Sequence, residues 1–296
     1  MTKQTLVITG ASGFVGNSLA NTALKNGYEV IGIDKVLIQN ANFHHVQADL
    51  SDPDLDKHIP ENSRVIHLAA VSTDSGARSN PISAIEANLI ATVNLIQAVN
   101  KRKNSSITFA SSEWVYPEKT TDLMDLEDSE LRMEDLQSFY AISKLVGENL
   151  FRTISSRKFF IYRFGIVYGP RENPGSALES IALKIAQGET VEVGSGSTAR
   201  RFIHIDDLVD ALLIDNQKFP VEDTSIYNVA GDELISLKQI AVETAKLVDL
   251  PLKFVDKGGT PSIRNPDSSK FKKVSSWVPK HNLISGVQSC LDKLIP

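Results

Sequence analysis

A tyrosine and a lysine four positions apart are the residues best suited to proton transfer in this chain. Tyr140 and Lys144 fall in a stretch with helical periodicity, so they share one helix face about one turn apart. A phenol with a pKa near ~10 is a poor base at neutral pH, but a neighbouring ammonium favours the phenolate. Such a pair can exchange a proton with the hydroxyl of an alcohol carbon. Because this spacing is common, the hypothesis depends on the residues that accompany it.

A serine hydroxyl is the first of these companions. Ser112 ends the fifth predicted strand, at the edge where open parallel sheets bind their ligands. A hydroxyl there can donate a hydrogen bond to a substrate oxygen as that oxygen gains charge. Ser111 competes for the same role.

A glycine-rich turn supplies the second companion. The segment TGASGFVG (9–16) follows a predicted strand and opens a predicted helix. Its glycines, Gly10, Gly13 and Gly16, permit a tight turn and close approach to a pyrophosphate at the helix N-terminus. The spacing is GxxGxxG, not the GxGxxG of many dehydrogenases. Asp34, at the end of the second predicted strand, can bind both ribose hydroxyls and would repel a 2′-phosphate, which favours NAD over NADP.

The elements that must position these residues alternate short β-branched runs with amphipathic stretches, which is typical of βαβ units. Predicted strands of the first half are 5–9, 28–34, 44–48, 63–69, 106–111 and 158–164, and predicted helices are 14–26, 82–102 and 138–156. The fold class is therefore α/β, with a doubly wound Rossmann-type parallel sheet. Residues 1–168 form the predicted NAD-binding domain, which parts of 202–231 rejoin. Residues 169–296 form a smaller α/β substrate-binding lobe.

Composition limits the possible partners. The formal net charge of −5 argues against a general nucleic-acid binder. One cysteine, Cys290, excludes an intrachain disulfide. We find no signal peptide and no apolar stretch near the ~18–20 residues that span a bilayer, so we expect a cytoplasmic protein without a membrane partner.

The histidines predict no metal site. His44 and His45 enter a strand and lack a pattern of ligand partners. His67 and His204 lie inside apolar strand patterns, so we expect them to serve packing.

Taken together, these motifs resemble the extended short-chain dehydrogenase/reductase family, in its NAD-dependent sugar-nucleotide epimerase/dehydratase branch, which includes the UDP-glucose 4-epimerases. The resemblance runs almost from end to end. Its carriers are TGASGFVG (9–16), Asp34, ADL (48–50), HLAA (67–70), the helix with Asn88, SSEWVY (111–116), YAISK (140–144), RFGIVYGPR (163–171), RRFIHIDDLVDA (200–211), YNVAG (227–231) and RNPDSSK (264–270).

The resemblance implies a role for each matching residue. The catalytic residues are Ser112, Tyr140 and Lys144. The cofactor-binding residues for NAD are Gly10, Ser12, Gly13, Phe14, Val15, Gly16, Asp34, Asp49, Leu50, Leu68, Ala69, Ala70, Ser72, Asn88, Tyr140 and Lys144. The substrate-binding residues are Ser72, Ser112, Glu113, Arg200 and Arg264, the two arginines holding the diphosphate of a nucleotide sugar. The family also implies a homodimer through the helices near 82–102 and 138–156.

The sequence indicates the family more clearly than it indicates which reaction the protein catalyses. An epimerase oxidises a ring hydroxyl to a ketone and returns the hydride to the other face. Dehydratases of the family carry an Asp-Glu pair after the serine or threonine, where this chain has Glu113 and Trp114. Ile166 stands where many members carry a sugar-contacting Asn, and Pro117 replaces the usual Gly. An epimerase is the first hypothesis; the alternatives are a sugar dehydrogenase or ketoreductase, a dehydratase, or a non-catalytic dinucleotide-sensing protein.

Overall fold

Runs of β-branched and aromatic residues form the strands, because such side chains pack well on a pleated surface. The computed structural model describes residues 4–219 and 225–294. The strands are β1 (Thr5–Thr9), β2 (Glu29–Asp34), β3 (His44–Gln47), β4 (Arg64–His67), β5 (Ser106–Ser112), β6 (Lys158–Phe164), β7 (Ile166–Tyr168), β8 (Val191–Val193), β9 (Ala199–Arg200), β10 (Phe202–His204), β11 (Ile226–Val229), β12 (Ile235–Ser236) and β13 (Phe254–Asp256).

Amphipathic stretches form the helices, as their three- and four-residue spacing predicts. They are α1 (Phe14–Lys25), α2 (Asp74–Ser79), α3 (Pro81–Ile85), α4 (Ala91–Asn100), α5 (Phe139–Ile154), α6 (Ala177–Ala186), α7 (Ile205–Leu213), α8 (Leu237–Leu247), α9 (Ser269–Ser275) and α10 (Leu283–Leu294). A π-helical turn, Glu86–Ile90, joins α3 to α4. The six predicted strands and the predicted helices 14–26 and 138–156 are confirmed to within about two residues at each end, whereas the predicted helix 82–102 is divided into α3, the π-helical turn and α4.

The main sheet has seven strands in the order β3-β2-β1-β4-β5-β6-β11. β1 pairs in parallel with β2 and β4, β2 with β3, and β4 with β5. The predicted Rossmann-type sheet is confirmed. Because the chain order reverses between β1 and β4, a crevice opens at the carboxyl ends of these two strands. The glycine turn follows β1, and the segment 68–72 follows β4.

The helical segment Pro81–Asn100 is long and apolar enough to cross a membrane by length and composition alone. No apolar stretch of that length is expected from the sequence, and by this measure the expectation is wrong for this segment. Its mean hydropathy reaches 1.4 although it contains Asn, Thr and Gln side chains. Leu95, Ile96 and Val99 lie in the core beside strands β1 and β5. The segment is therefore accounted for as a core helix of the sheet.

The described chain divides into two compact units. Among the described residues, unit 1 comprises 4–115, 130–163, 212–219 and 225–227, and unit 2 comprises 116–129, 164–211 and 228–294. These bounds differ from the sequence-based division at 168, because the chain passes between the units several times. Unit 1 has a core of aliphatic and phenylalanine side chains on the main sheet. Unit 2 has its own core around α6, α8 and α10, in which Cys290 is fully buried.

Candidate active site

The glycine turn after β1 is packed too closely for side chains. Gly10 has a φ of +72°, and a Cβ there would lie 2.8 Å from the backbone nitrogen of Ala69. A Cβ on Gly16 would lie 2.1 Å from the carbonyl oxygen of Gly10. Helix α1 then begins without a capping side chain and without an acid in its first turn. Its N-terminus is therefore electrostatically suited to an anion such as a pyrophosphate.

Asp34 ties the end of β2 to this turn. The backbone N–H and the hydroxyl of Ser12 both donate to Asp34 Oδ2, at 2.9 and 2.6 Å, and the Val36 N–H donates to Oδ1 at 2.9 Å. A carboxylate has about four acceptor positions. Three are used within the chain, so the carboxylate has room for one ribose hydroxyl while Ser12 keeps its present position.

The other residues predicted to line the cofactor follow β3 and β4. Hydrogen bonds from the Ser51 backbone and side chain lower the pKa of Asp49, which stays ionised and exposed. Leu50 is buried, residues 68–70 are half-buried, and Ser72 is exposed. All of these follow the carboxyl ends of parallel strands in unit 1. The glycine cradle, the helix N-terminus and Asp34 together fit NAD.

Helix α5, which carries Tyr140 and Lys144, packs closely on β5. Ser138 caps it by accepting a hydrogen bond from the Ala141 N–H at 3.2 Å, which fixes the turn that carries Tyr140. A Cβ on Gly147 would lie 2.6 Å from the Phe109 ring, so glycine is needed for this approach.

Lys144 lies in the buried part of this contact. Its Nζ donates to the Ala110 carbonyl at 2.8 Å and lies 4.9 Å from the centre of the Phe109 ring. Burial lowers its pKa from 10.5 to about 8. Most Lys144 side chains are therefore still charged at pH 7.

Tyr140 is a neutral phenol in the free protein. Burial raises its pKa to about 12; a hydrogen bond with Ser112 opposes the increase, and the charge of Glu113 adds to it. Lys144 Nζ lies 5.7 Å from the centre of the Tyr140 ring. The ammonium is predicted to favour the phenolate, but in the free protein burial has the larger effect on the pKa of Tyr140. The ring of Trp114 also meets Tyr140 edge-on, with centroids 6.2 Å apart.

The two candidate serines have different environments. Ser111 donates to Glu148 Oε1 at 2.6 Å, and Glu148 is held by a buried two-point contact with Arg163 at 2.8 and 2.9 Å. Ser112 instead hydrogen-bonds Tyr140 and accepts the Trp114 N–H at 3.3 Å. The structure thus brings Ser112, Tyr140 and Lys144 together and directs Ser111 into a buried ion pair.

Asn88 has partners that the sequence does not reveal. Its amide oxygen accepts the Val71 N–H at 2.7 Å, and its nitrogen donates to the Val71 carbonyl and to Ser143 Oγ. Asn88 bonds the loop after β4 and helix α5, and its predicted contact with the cofactor stays a prediction. In the sequence, the signal of these contacts is a polar Asn within an otherwise apolar helical stretch.

The two arginines predicted to bind a diphosphate lie in unit 2. Arg200 donates to the carbonyls of Ala199 and Ser262 at 2.8 and 2.5 Å. Arg264 is buried; it donates to the Tyr116 carbonyl at 2.9 Å and to Glu118 at 3.2 Å. Both side chains therefore support backbone within unit 2, and their contact with a diphosphate stays a prediction.

The two histidines expected to serve packing, His67 and His204, are held by hydrogen bonds. His67 bonds Thr9 and Thr92 through its two ring nitrogens. His204 Nε2 lies 3.0 Å from Ser289 Oγ, and its Nδ1 accepts the Asp206 N–H.

His204 and Asp206 also lie near His281, with ligand-type atoms of all three within 4.8 Å of one another. The two imidazole rings stack at 3.8 Å with planes 21° apart. An imidazole nitrogen binds a metal ion in the plane of its ring. An ion in the plane of either ring would therefore lie outside the plane of the other, so the two rings cannot both bind one ion in this arrangement.

Known proteins resemble this chain over most of its length. A family model described as NAD dependent epimerase/dehydratase family matches residues 6–230. A putative UDP-glucose 4-epimerase of Methanocaldococcus jannaschii is 29% identical, over 71% of this chain and 72% of that protein. A UDP-N-acetyl-alpha-D-glucosaminuronate decarboxylase of Bacillus cytotoxicus is 26% identical, over 98% and 97%. The structure of UDP-glucuronic acid 4-epimerase from Bacillus cereus with NAD superposes with a TM-score of 0.83 at 25% identity, covering 98% and 96%.

The matched range, residues 6–230, contains the glycine turn, Asp34, Ser112, Tyr140 and Lys144. It covers more than half of the chain, and the site geometry agrees with the chemistry that the family name describes. The chain belongs to the NAD dependent epimerase/dehydratase family, and it is an NAD-dependent enzyme of the extended short-chain dehydrogenase/reductase type.

Proposed function

We propose that this enzyme is a nucleotide-sugar epimerase, which oxidises a ring hydroxyl to a ketone and returns the hydride to the other face of the ring. The observation that carries the proposal is the placement of Ser112, Tyr140 and Lys144 at one end of β5 and on one turn of α5. This group can hold a hydroxyl, remove its proton and give the proton back.

Tyr140 exchanges the proton in this scheme. The Ser112 hydroxyl donates to the sugar oxygen as charge develops there, while the phenolate of Tyr140 removes the proton. The chemistry that NAD supplies when bound is hydride transfer to and from the ring carbon. When the ketone is reduced, the neutral phenol returns the proton to the oxygen on which negative charge develops. Its raised pKa means that it stays protonated until then.

Lys144 supplies the charge that makes the phenolate accessible. It is mostly an ammonium at neutral pH, and it is held by packing on Phe109 and by the Ala110 carbonyl. Its Nζ lies 5.7 Å from the centre of the Tyr140 ring, and in the free protein burial outweighs this charge. The positive charge of bound NAD would act in the same direction as the ammonium and favour the phenolate. As a cofactor ligand, Lys144 would also hold the nicotinamide ribose.

A nucleotide sugar is the proposed substrate class. The relatives named for UDP-sugar epimerisation and decarboxylation support it, and so does the resemblance at Ser72, Arg200 and Arg264. The acidic Asp34 supports NAD over NADP, because a second negative charge beside it would be repelled.

A net oxidation is the second candidate. Trp114 places a large ring against Tyr140, at a position where dehydratases of the family carry an acid. A large ring beside the reacting carbon limits the space in which a keto sugar can turn over. The decarboxylase relative, aligned over nearly the whole chain, does not bear on this candidate, because loss of CO2 from a sugar acid involves no net oxidation.

We also infer a cytoplasmic homodimer that needs no nucleic-acid or membrane partner. Three isoleucines of the segment Pro81–Asn100 are exposed, Ile82, Ile85 and Ile90, at 71, 40 and 47%. A second copy would cover these side chains, as the family resemblance implies. Light scattering of the wild type and of Ile82→Asp tests this, and a wild-type monomer at every concentration contradicts it.

A product assay separates the candidate reactions. The protein is loaded with NAD, screened for thermal stabilisation by nucleotide sugars, and incubated with each ligand that binds. An epimerase yields the epimer without accumulating NADH, whereas a dehydrogenase accumulates NADH with each turnover. Tyr140→Phe is the control, since it removes the proton donor and keeps the ring. Binding of NAD without turnover of any nucleotide sugar would contradict the proposal and favour a sensing protein.

A further inference from the structure

A continuous chain of buried hydrogen bonds starts at the loop that follows β4. The Ala69 N–H donates to Thr9 Oγ1 at 3.3 Å, and this oxygen lies 2.8 Å from His67 Nδ1. The second ring nitrogen, His67 Nε2, lies 3.0 Å from Thr92 Oγ1. The Thr92 hydroxyl donates to the backbone carbonyl of Asn88 at 2.8 Å. The loop is thereby connected, through one histidine, to the π-helical turn.

The side chain of Asn88 carries the connection on to the catalytic helix. Its Oδ1 accepts the Val71 N–H at 2.7 Å, and its Nδ2 donates to the Val71 carbonyl at 3.1 Å. The same Nδ2 donates to Ser143 Oγ at 3.0 Å, and the Ser143 hydroxyl donates to the Tyr140 carbonyl at 2.8 Å. The chain thus ends on the backbone of the catalytic tyrosine.

The direction of each proton follows from these partners. Since the Thr92 hydroxyl donates to a carbonyl, its oxygen accepts from His67 Nε2–H. His67 Nδ1 then accepts from the Thr9 hydroxyl, which in turn accepts the Ala69 N–H. Burial, and next the charge of Lys144, lower the pKa of His67 to about 3, so this neutral tautomer persists at every physiological pH.

The burial and position of the chain point to a role in the site. The side chains that form these hydrogen bonds are at most 3% exposed: Thr9, His67, Thr92, Asn88 and Ser143. Asn88 occupies the middle of the π-helical turn. Such turns often lie at functional sites. One end of the chain fixes residues 68–72, which carry predicted cofactor contacts. The other end fixes the turn of α5 that holds Tyr140 and Lys144.

We propose that this chain of hydrogen bonds is a positioning device, which sets the Tyr140 turn of α5 against the cofactor-lining loop 68–72. Thr92 is then a positioning residue, which acts on the reacting groups only through Asn88 and Ser143. The catalytic consequence rests on the proposed function. Because proton and hydride transfer depend on the placement of reacting groups to a fraction of an ångström, a loosened chain slows the reaction without removing any reacting group.

Two matched threonine variants test the proposal. Thr92→Val removes the hydroxyl at the centre of the chain. Thr108→Val removes a hydroxyl that is equally buried in unit 1, that accepts Asn216 Nδ2 at 3.0 Å and that lies outside the chain. We expect Thr92→Val to lower kcat about tenfold with KM for the nucleotide sugar unchanged within about twofold. Thr108→Val should lower stability alone, and Thr92→Ser should restore kcat.

Two readouts do not require turnover. Calorimetry should show NAD affinity reduced about fivefold in Thr92→Val and unchanged in Thr108→Val, since only the first loosens loop 68–72. Proton NMR of the cofactor-free protein should show a slowly exchanging His67 Nε2–H signal that Thr92→Val shifts or abolishes. If Thr92→Val does not fold, Ser143→Ala tests the other end of the chain by deleting one hydroxyl.

Equal kcat and equal NAD affinity in the two valine variants would overturn the proposal and leave the chain a purely structural feature. A wild type that turns over no nucleotide sugar contradicts the proposed function instead. In that case NAD affinity and the His67 signal still decide whether the chain positions the loop.

Discussion

Replacing Lys144 by methionine should make the free protein more stable at neutral pH while abolishing turnover. Burial lowers the pKa of Lys144 from 10.5 to about 8, and at ~1.36 kcal/mol for each tenfold change in acidity this corresponds to about 3 kcal/mol of destabilisation. The hydrogen bond to the Ala110 carbonyl contributes about 1 kcal/mol in the opposite direction. Methionine fills nearly the same volume without a charge, so we expect a net gain of about 2 kcal/mol at pH 7.

The pH dependence of this gain has a definite sign. The folded pKa of Lys144 lies below its unfolded value, so above pH 8 the unfolded state binds more protons than the folded one. Wild-type stability therefore rises between about pH 8 and pH 10.5 relative to a variant that cannot titrate. The advantage of Lys144→Met should shrink over this window and end as a small deficit.

Urea unfolding of both proteins at pH 7, 8.5 and 10 measures this difference directly. Lys184→Met, on the exposed face of α6, is the control and should change the unfolding free energy by less than about 0.5 kcal/mol. A variant that is less stable than wild type at pH 7, or an advantage that does not change with pH, would refute the reasoning. It would mean that Lys144 is solvated or paired in solution.

Three further predictions concern the same unit. Tyr140→Phe should reduce turnover about 1,000-fold and leave the Kd for NAD within twofold, measured by product assay and calorimetry; a smaller loss would exclude Tyr140 as the proton-transfer group. Gly16→Ala should weaken NAD binding at least ~100-fold, because its Cβ would lie 2.1 Å from the Gly10 carbonyl; near-normal calorimetry would contradict that packing. His67 has a folded pKa of about 3, below its unfolded value, so its contribution to stability is complete above about pH 6.5 and is lost as pH falls toward 3. Between pH 6.5 and 5 the wild type should lose about 2 kcal/mol more than His67→Asn, and equal acid sensitivity in urea unfolding would exclude this linkage.

The sheet could be predicted from the sequence because its signals are local. β1, β2 and β5 are short apolar runs bounded by turn residues, and the glycines at 10, 13 and 16 mark the first crossover. The break in the predicted 82–102 helix could not be predicted. The π-helical turn at Glu86–Ile90 brings Asn88 to Val71 and Ser143, which are distant in sequence, and no spacing within the helix records those contacts.

In the candidate site, too, some features follow from the sequence and others require the structure. Ser112, Tyr140 and Lys144 follow from residue type and position on predicted elements, and the structure brings them together. The choice of Ser112 over Ser111 needs the structure, because it depends on the direction of side chains at the end of β5. Their environments differ through Glu148, which reaches Ser111 from α5.

The acidic segment from 122 to 135 is a further case, since a solvated loop is the reading that its composition favours. Most of it is exposed, yet Asp125 is only 4% exposed. Lys119 Nζ lies 2.6 Å from its carboxylate, and the Asn265 N–H donates to it at 2.8 Å. Charge alone predicts solvent exposure. The burial of Asp125 depends in part on Asn265, which is 140 residues away in sequence.

Helix α5 combines stabilising and destabilising groups in a way that explains the low pKa of Lys144. Glu148, one turn further on, is buried against Arg163 in a two-point contact, and Gly147 lets the helix approach Phe109 closely. These contacts hold α5 against β5. Lys144 itself is held by packing on Phe109 and by a hydrogen bond to the Ala110 carbonyl. A carboxylate beside Lys144 would stabilise the fold, but it would also cancel the positive charge that the Tyr140 phenolate needs. In the proposed mechanism, the expected stability of Lys144→Met and its expected loss of activity therefore have one cause: an ammonium that is buried without a neutralising charge destabilises the fold and favours the Tyr140 phenolate.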